Sequence, residues 1–282
     1  MVETRRQKKA ARRCDAPPSL AEQPADVLLL VGACLADVLK PSHLASLASS
    51  CWAIRQALET AVAELREARL AVVAFILKVN SAHPVYSISR VFSGALPSAC
   101  WGSRGLDQAD AQLMARTLFD SGRPVMAALH TLGLSLNPLT DDGVATLAGA
   151  WAATPLAELR MLYLSETGMG DAGLRALLRA LARGALPKLA LLSIRGNHIG
   201  DEGVRALAAA ASKGALPALQ TLRLDGNRRI RDAAPLAAAI AGGALPSLTS
   251  LTAPALHLRP LQDACAARPG ISVTEGPFGL FS

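Results

Sequence analysis

At 282 residues and 51% apolar side chains, the chain is long enough for one elongated domain or two small ones, with ample material for a buried core. Its longest uninterrupted apolar stretch, LAVVAFIL at residues 70–77, is far short of the roughly 20 residues a membrane-spanning helix requires, so no membrane role is expected. The formal charge of +7 is concentrated at the start: residues 1–14 hold six basic groups and one acid, which leaves 23 minus 21, or +2, for the rest and excludes a strongly basic, specific nucleic-acid-binding domain.

The basic run MVETRRQKKAARRC leads into Asp15 and a Pro-Pro pair without the apolar core of a secretory signal. Residues 1–22 are expected to form a disordered basic tail, either a solvated end or a nuclear-import signal. Cys14, Cys34, Cys51, Cys100 and Cys265 are scattered and form no C-x-x-C pair, so they read as reduced thiols. Both features point to a cytoplasmic or nuclear protein.

Residues 23–58, QPADVLLLVGACLADVLKPSHLASLASSCWAIRQAL, form a separate helical module. Pro24 can open a helix in its first turn, Val27, Leu28, Val31 and Leu35 line one face, and Lys40-Pro41-Ser42 breaks it before a second apolar helix. An acid before an apolar helix (Asp26, Val27, Leu28), a proline break, and then Leu44, Leu47, Cys51 and Ile54-Arg55 together resemble an F-box. About four extra residues precede Leu44; they amount to roughly one helical turn and keep the apolar stripe nearly in phase. The resemblance implies docking of a Skp-type adaptor by Pro24, Val27, Leu28, Val31, Leu44, Leu47, Cys51 and Ile54. The other reading of the module is a plain helical cap that shields the first strand of a repeat array. Residues 59–98 follow as a helical linker and N-terminal cap, an amphipathic helix and then a buried apolar helix or strand.

Internal periodicity governs what comes next. LHTLGLSLNPL at Leu129, LRMLYLSETGM at Leu159, LALLSIRGNHI at Leu189 and LQTLRLDGNRRI at Leu219 recur every 30 residues, with a degenerate copy, LTSLTAPALHL, at Leu248. The second half of each unit repeats as well: TDDGVATL, GDAGLRAL and GDEGVRAL place Gly143, Gly173 and Gly203 in phase, each at a helix start. Asp141, Asp171 and Asp201 are suited to act as N-caps, which accounts for these acids better than a metal site does. Leu174, Leu177, Leu178 and Leu181 have the spacing of a helix that buries one face. GALP at residues 184–187, 214–217 and 243–246 ends each helix, Gly taking the left-handed C′ conformation and Pro barring continuation. The same tetrapeptide at residues 94–97 predicts a degenerate first unit starting near Ala99, with Gly102 and Arg104 in its leucine positions, and about six units in all.

The L-x-x-L-x-L-x-x-N pattern, with Asn137, Asn197 and Asn227 in the last position, resembles the ribonuclease-inhibitor-like class of leucine-rich repeats over residues 99–258. That resemblance implies an α/β solenoid: a horseshoe with a parallel sheet inside and helices outside, in which the Asn side chain bonds turn backbone of its own and the neighbouring unit. Thr167 and Ala255 or Leu256 depart from the pattern, and their units should be looser. Residues 259–282, ending GISVTEGPFGLFS, are expected to supply a final strand and cap.

In L-x-x-L-x-L the leucines point into the core and the intervening residues to the inner, concave face. This nominates Met161, Tyr163, Glu166, Arg195, Arg223 and Asp225 as partner contacts. Tyr163, Arg195 and Arg223 are the expected anchors, since aromatic and Arg side chains dominate interface energetics. The plain alternative is a solvated sheet face. No nucleophile elbow, phosphate loop or zinc-spaced Cys/His cluster is found, so no catalytic residue, cofactor or metal is expected. An F-box followed by leucine-rich repeats resembles the substrate-recruiting subunits of SCF-type ubiquitin ligases, with a protein target on the concave face. The alternative is a free-standing scaffold or regulator, similar to the leucine-rich activators of small GTPases or the ribonuclease inhibitors.

Overall fold

Short strands and helices alternate strictly along the repeats. The computed structural model describes residues 70, 73, 75, 76, 78, 79, 96–119, 126, 128–254, 258–266, 268 and 270–275. The adaptor-docking set inferred from the sequence, Pro24, Val27, Leu28, Val31, Leu44, Leu47, Cys51 and Ile54, lies outside the described residues, as does the basic tail. The chain divides into two compact units, Met1–Ala71 and Val72–Ser282, and of the first unit the described residue is Leu70, helical and exposed.

The second unit begins with the apolar stretch as a helix, not a strand: Phe75, Ile76 and Val79 are buried on one side, while Lys78 on the other bonds the Asp110 carboxylate at 2.6 Å. Phe75 meets Trp101 edge-on at 5.1 Å, which seals the start of the repeat core. Then come β1 (Ser98–Cys100), α1 (Gln108–Thr117), β2 (Thr131–Gly133), α2 (Thr140–Ala153), β3 (Met161–Tyr163), α3 (Asp171–Ala182), β4 (Leu191–Ser193), α4 (Asp201–Ser212), β5 (Thr221–Arg223), α5 (Ala234–Ala241), β6 (Ser250–Ala253), α6 (Leu258–Ala266) and β7 (Ser272–Glu275). The seven strands form one parallel sheet in sequence order, and each helix packs beside the next. This is the α/β solenoid implied by the repeat pattern. Each helix returns the chain to the same sheet edge, which is why every pairing is parallel. No described helix is long and apolar enough to cross a membrane.

Leu132, Leu162, Leu192, Leu222 and Leu251 are directly paired across the sheet and have no solvent exposure. Burying each contributes about 1.5–3 kcal/mol, and only because the next unit covers it. Trp151 of α2 lies against Phe119 at 5.8 Å and widens the core at that unit.

The first unit is displaced from its predicted register. Ala99 pairs with Leu132, so Leu96 leads the unit and Trp101 fills the place of Leu134, while Gly102 and Arg104 take no leucine position. GALP is therefore three residues out of phase here, and its own leucine has become the leading residue of a 33-residue unit.

The helix starts hold a second difference. The N-caps of α3 and α4 are Gly170 and Gly200, which have no side chain to offer, and Leu139 precedes α2 without a side-chain cap. Asp141 and Asp171 cap the helix of the following unit instead of their own, and Asp201 bonds the turn before α5. Asp141 Oδ1 accepts from Gly170 N and Gly173 N, both at 2.7 Å; Asp171 Oδ1 accepts from Gly200 N at 2.7 Å and Gly203 N at 3.0 Å. Asp201 Oδ1 accepts from Arg231 N and Asp232 N, which holds its carboxyl below the usual range. Two orphan donors at the helix start are thus satisfied across the boundaries into α3 and α4, whereas Asp201 holds the turn just before α5. α1 has a local form, a reciprocal capping box between Asp107 and Asp110.

The helix ends agree with the sequence reading. At Gly184 (φ +80°), Ala185 N donates to Ala180 O and Gly184 N to Leu181 O, the paired bonds of a left-handed C′ glycine; Gly214 (φ +77°) repeats them.

Candidate protein-binding surface

Side chains flanking the buried leucines leave the sheet on the face opposite the helices, because consecutive residues of a strand alternate sides. Two rows result. One runs Thr131, Met161, Leu191, Thr221, and the next runs Gly133, Tyr163, Ser193, Arg223. A third row follows where the strands end, through Ser135, Ser165, Arg195 and Asp225, since backbone bonds continue there: Leu136 N to Ser165 O, Glu166 N to Arg195 O and Gly196 N to Asp225 O, each 2.9 Å.

These rows gather five of the six residues nominated from the sequence, Met161, Tyr163, Arg195, Arg223 and Asp225, in different states, and the sixth, Glu166, follows in the turn after β3. Met161 and Tyr163 are half-buried, and the Tyr163 hydroxyl donates to Met161 Sδ at 3.7 Å. Arg223 is exposed. Arg195 is engaged: its Nε lies 3.0 Å from Asp225 Oδ2, and Asp225 is buried beneath it. This pair neutralises the middle of the face. Ser165 and Ser193 share a hydroxyl bond of 2.8 Å beside it. Glu166 is exposed and leans over Gly196, where a Cβ would meet its Cγ at 2.7 Å.

The platform is rigid because the turns below it are tied by asparagine ladders. Asn197 is buried; its Oδ1 accepts from Thr167 N, Thr167 Oγ1 and Met169 N, and its Nδ2 donates to Leu164, Ile194 and Arg195 carbonyls. Asn137 bonds Arg104 N, Leu106 N and Trp101 O of the first unit in the same way. Thr167 stands in for an asparagine with a hydroxyl that donates to Leu164 O and lacks the reach to serve the unit before it. Leu139 N there bonds Asn137 O, Thr140 N bonds Thr167 O, and Thr140 adopts φ +59°.

Two surface features escaped the sequence reading. The residue before each ladder asparagine, or before its substitute, is left-handed in every unit from the first to the fifth: Ser103, Leu136, Glu166, Gly196 and Gly226. Glycine suits that conformation, yet Leu136 holds it at φ +59° with 53% of its surface exposed. The turn after β5 is one residue longer than its neighbour, with Asn227 and Ile230 in the places of Asn197 and Ile199, and the extra length is exposed Arg228-Arg229. The signal for both was in the alignment of the units, as a Leu against two Gly and as NRRI against NHI.

Among the described residues no group of His, Cys, Asp or Glu could hold a metal ion. In comparisons with known proteins, the family model described as Leucine Rich repeat matches residues 128–148 and 185–208, which span parts of the second and fourth units. No curated protein matches the chain.

Proposed function

We infer that this leucine-rich-repeat chain recruits a protein partner onto the open face of its sheet. One observation carries the reading: the face between β2 and β5 presents partly exposed Met161, Tyr163 and Leu191 and exposed Arg223 on a scaffold tied together by buried asparagines beneath it. Tyr163 combines contact area with a hydroxyl, the profile of an interface anchor. The experiment compares proteins enriched by wild-type chain and by Tyr163→Ala plus Arg223→Ala. These side chains are not in the core, so the variant is expected to keep its denaturation midpoint and to lose a defined set of partners by more than tenfold, since paired anchors contribute upward of about 2 kcal/mol each. An unchanged set of partners sinks the reading.

The finer reading is that the bound protein is a target for ubiquitination. It is supported by the F-box-like pattern of residues 23–58 and by the order of parts, an adaptor-docking module ahead of the repeats. A Skp-type adaptor is expected to co-purify with the chain and to be lost on Val27→Asp plus Leu44→Asp with the repeats still folded. Absence of the adaptor, or its retention by that variant, leaves a free-standing scaffold or regulator working through the open face alone.

A further inference from the structure

The open face is chemically polarised along the strand order, and this extends the partner-binding reading just given, on which it rests. At the β2–β3 end stand exposed Leu136 and half-buried Tyr163. The left-handed backbone here is held by Ser103, Leu136 and Glu166 in the first three units and by Gly196 and Gly226 in the next two; Leu136, at φ +59°, is the large apolar side chain of the row, and its side chain is mostly in water. Neither local backbone preference nor core packing accounts for it. At the β5 end stand Arg223 on the face and, in the turn that leads away from β5, Arg228 and Arg229, with Arg229 pairing with Gly200 at the start of α4; all three are exposed, and among the described residues no carboxylate forms an ion pair with them. The acids near that end are engaged elsewhere: Asp225 by Arg195, Asp201 by the backbone N–H groups of Arg231 and Asp232, and Asp232 by Ala234 N. Between the two ends, exposed Glu166 leans over Gly196 and opposes negative charge in the middle of the face.

We propose that the open face, together with the turn edge after β5, binds an extended, acidic segment of a protein partner, laid across the strands with an apolar side chain on Leu136 and Tyr163 and a cluster of carboxylates on Arg223 and, at the edge, Arg228 and Arg229. β2 and β5 are three steps apart in the sheet, so the two ends lie about 14 Å from one another at about 4.8 Å per strand. An extended chain covers that span in about four residues at roughly 3.3 Å each. The recognised pattern is thus one apolar residue separated by about four positions from an acidic cluster. Single-stranded nucleic acid has the right charge, but it wants stacking aromatics between its cationic contacts, and the arginine end presents none among the described residues.

Fluorescence anisotropy on the full chain tests this with synthetic peptides that carry one leucine about four residues before or after three glutamates. One of the two orders is expected to bind. Binding should weaken about tenfold in Arg228→Glu plus Arg229→Glu, and should collapse near roughly 1 M salt, where the Debye length is about 3 Å. Leu136→Gly should also weaken it several-fold while leaving Tm no lower, because glycine relieves the left-handed strain; a merely structural leucine would move the two readouts together. The proposal is overturned if neither peptide binds, if the charge-reversed variant or Leu136→Gly binds as tightly as wild type, or if a single-stranded oligonucleotide of equal charge binds in preference. Partners lost on Tyr163→Ala plus Arg223→Ala but retained by both of these variants would remove this segment class and leave the open-face reading standing.

Discussion

Asn197→Ala is expected to lower stability by about 3–5 kcal/mol, one of the largest effects of any polar substitution in the repeats. The side chain is buried and bonds two neighbouring units at once. Removing it leaves Thr167 N and Met169 N without acceptors, and each buried donor left unmet costs about 1–3 kcal/mol. The carbonyls suffer less: Leu164 O keeps the Thr167 hydroxyl and Ile194 O keeps Asn227 Nδ2. Asn227 gives the contrast, since its Oδ1 serves Ile199 N at 3.2 Å and its loss orphans fewer groups. Asn227→Ala should therefore cost about half as much. Urea denaturation with a common slope measures the difference. Equal losses at the two sites, or a loss at Asn197 below about 1 kcal/mol, would mean that water replaces the amide and the ladder is not what ties the units.

Much of this was legible from the chain alone because a repeat writes its register into the sequence many times. The leucines at positions 132, 162, 192, 222 and 251 were placed by spacing, and the glycines at 184 and 214 by the chemistry of a helix end. The first unit was misplaced by three residues because a tetrapeptide that ends helices elsewhere supplies the leading leucine there. The spacing of the aspartates predicts caps for their own helices, whereas Asp141 and Asp171 cap the next helix and Asp201 bonds the turn before it. A carboxylate at a helix start looks the same in sequence whether it bonds its own first turn or donors about thirty residues on, and only the stacking distance decides. The candidate surface divides similarly. Strand alternation put Met161, Tyr163 and Arg223 on the open face, whereas the Arg195–Asp225 pair and the strain at Leu136 arise from the side-by-side placement of units and have no local signature.

That cross-unit capping explains the glycines at positions 173 and 203, and against Gly143, which no aspartate of the preceding unit approaches, it predicts an order of sensitivity. A Cβ on Gly203 would lie 2.5 Å from Asp171 Oδ1 and 2.7 Å from Ile199 Cγ2. Gly203→Ala must expel the carboxylate from its bonds to Gly200 N and Gly203 N and also crowd a β-branched neighbour, at an expected cost of about 3–5 kcal/mol. At Gly173 the corresponding atoms are Asp141 Oδ1 at 2.7 Å and Met169 Cγ at 2.8 Å, and the flexible methionine gives way more cheaply. At Gly143 the preceding unit offers Ala111 in place of an aspartate, and the nearest atom is Leu139 Cβ at 3.2 Å. Gly143→Ala should then be close to neutral, since up to about 1 kcal/mol of helix propensity offsets the crowding. Asp171→Ala alone should cost about 1–2 kcal/mol, and combined with Gly203→Ala it should cost less than the two singles added, by about 1 kcal/mol or more. Thermal and urea unfolding of the five variants settle the order. If Gly143→Ala proves as damaging as Gly203→Ala, or the double variant is additive, then the carboxylate of the preceding unit is not what demands glycine, and the periodic Gly would have to be traced to the helix's own first turn.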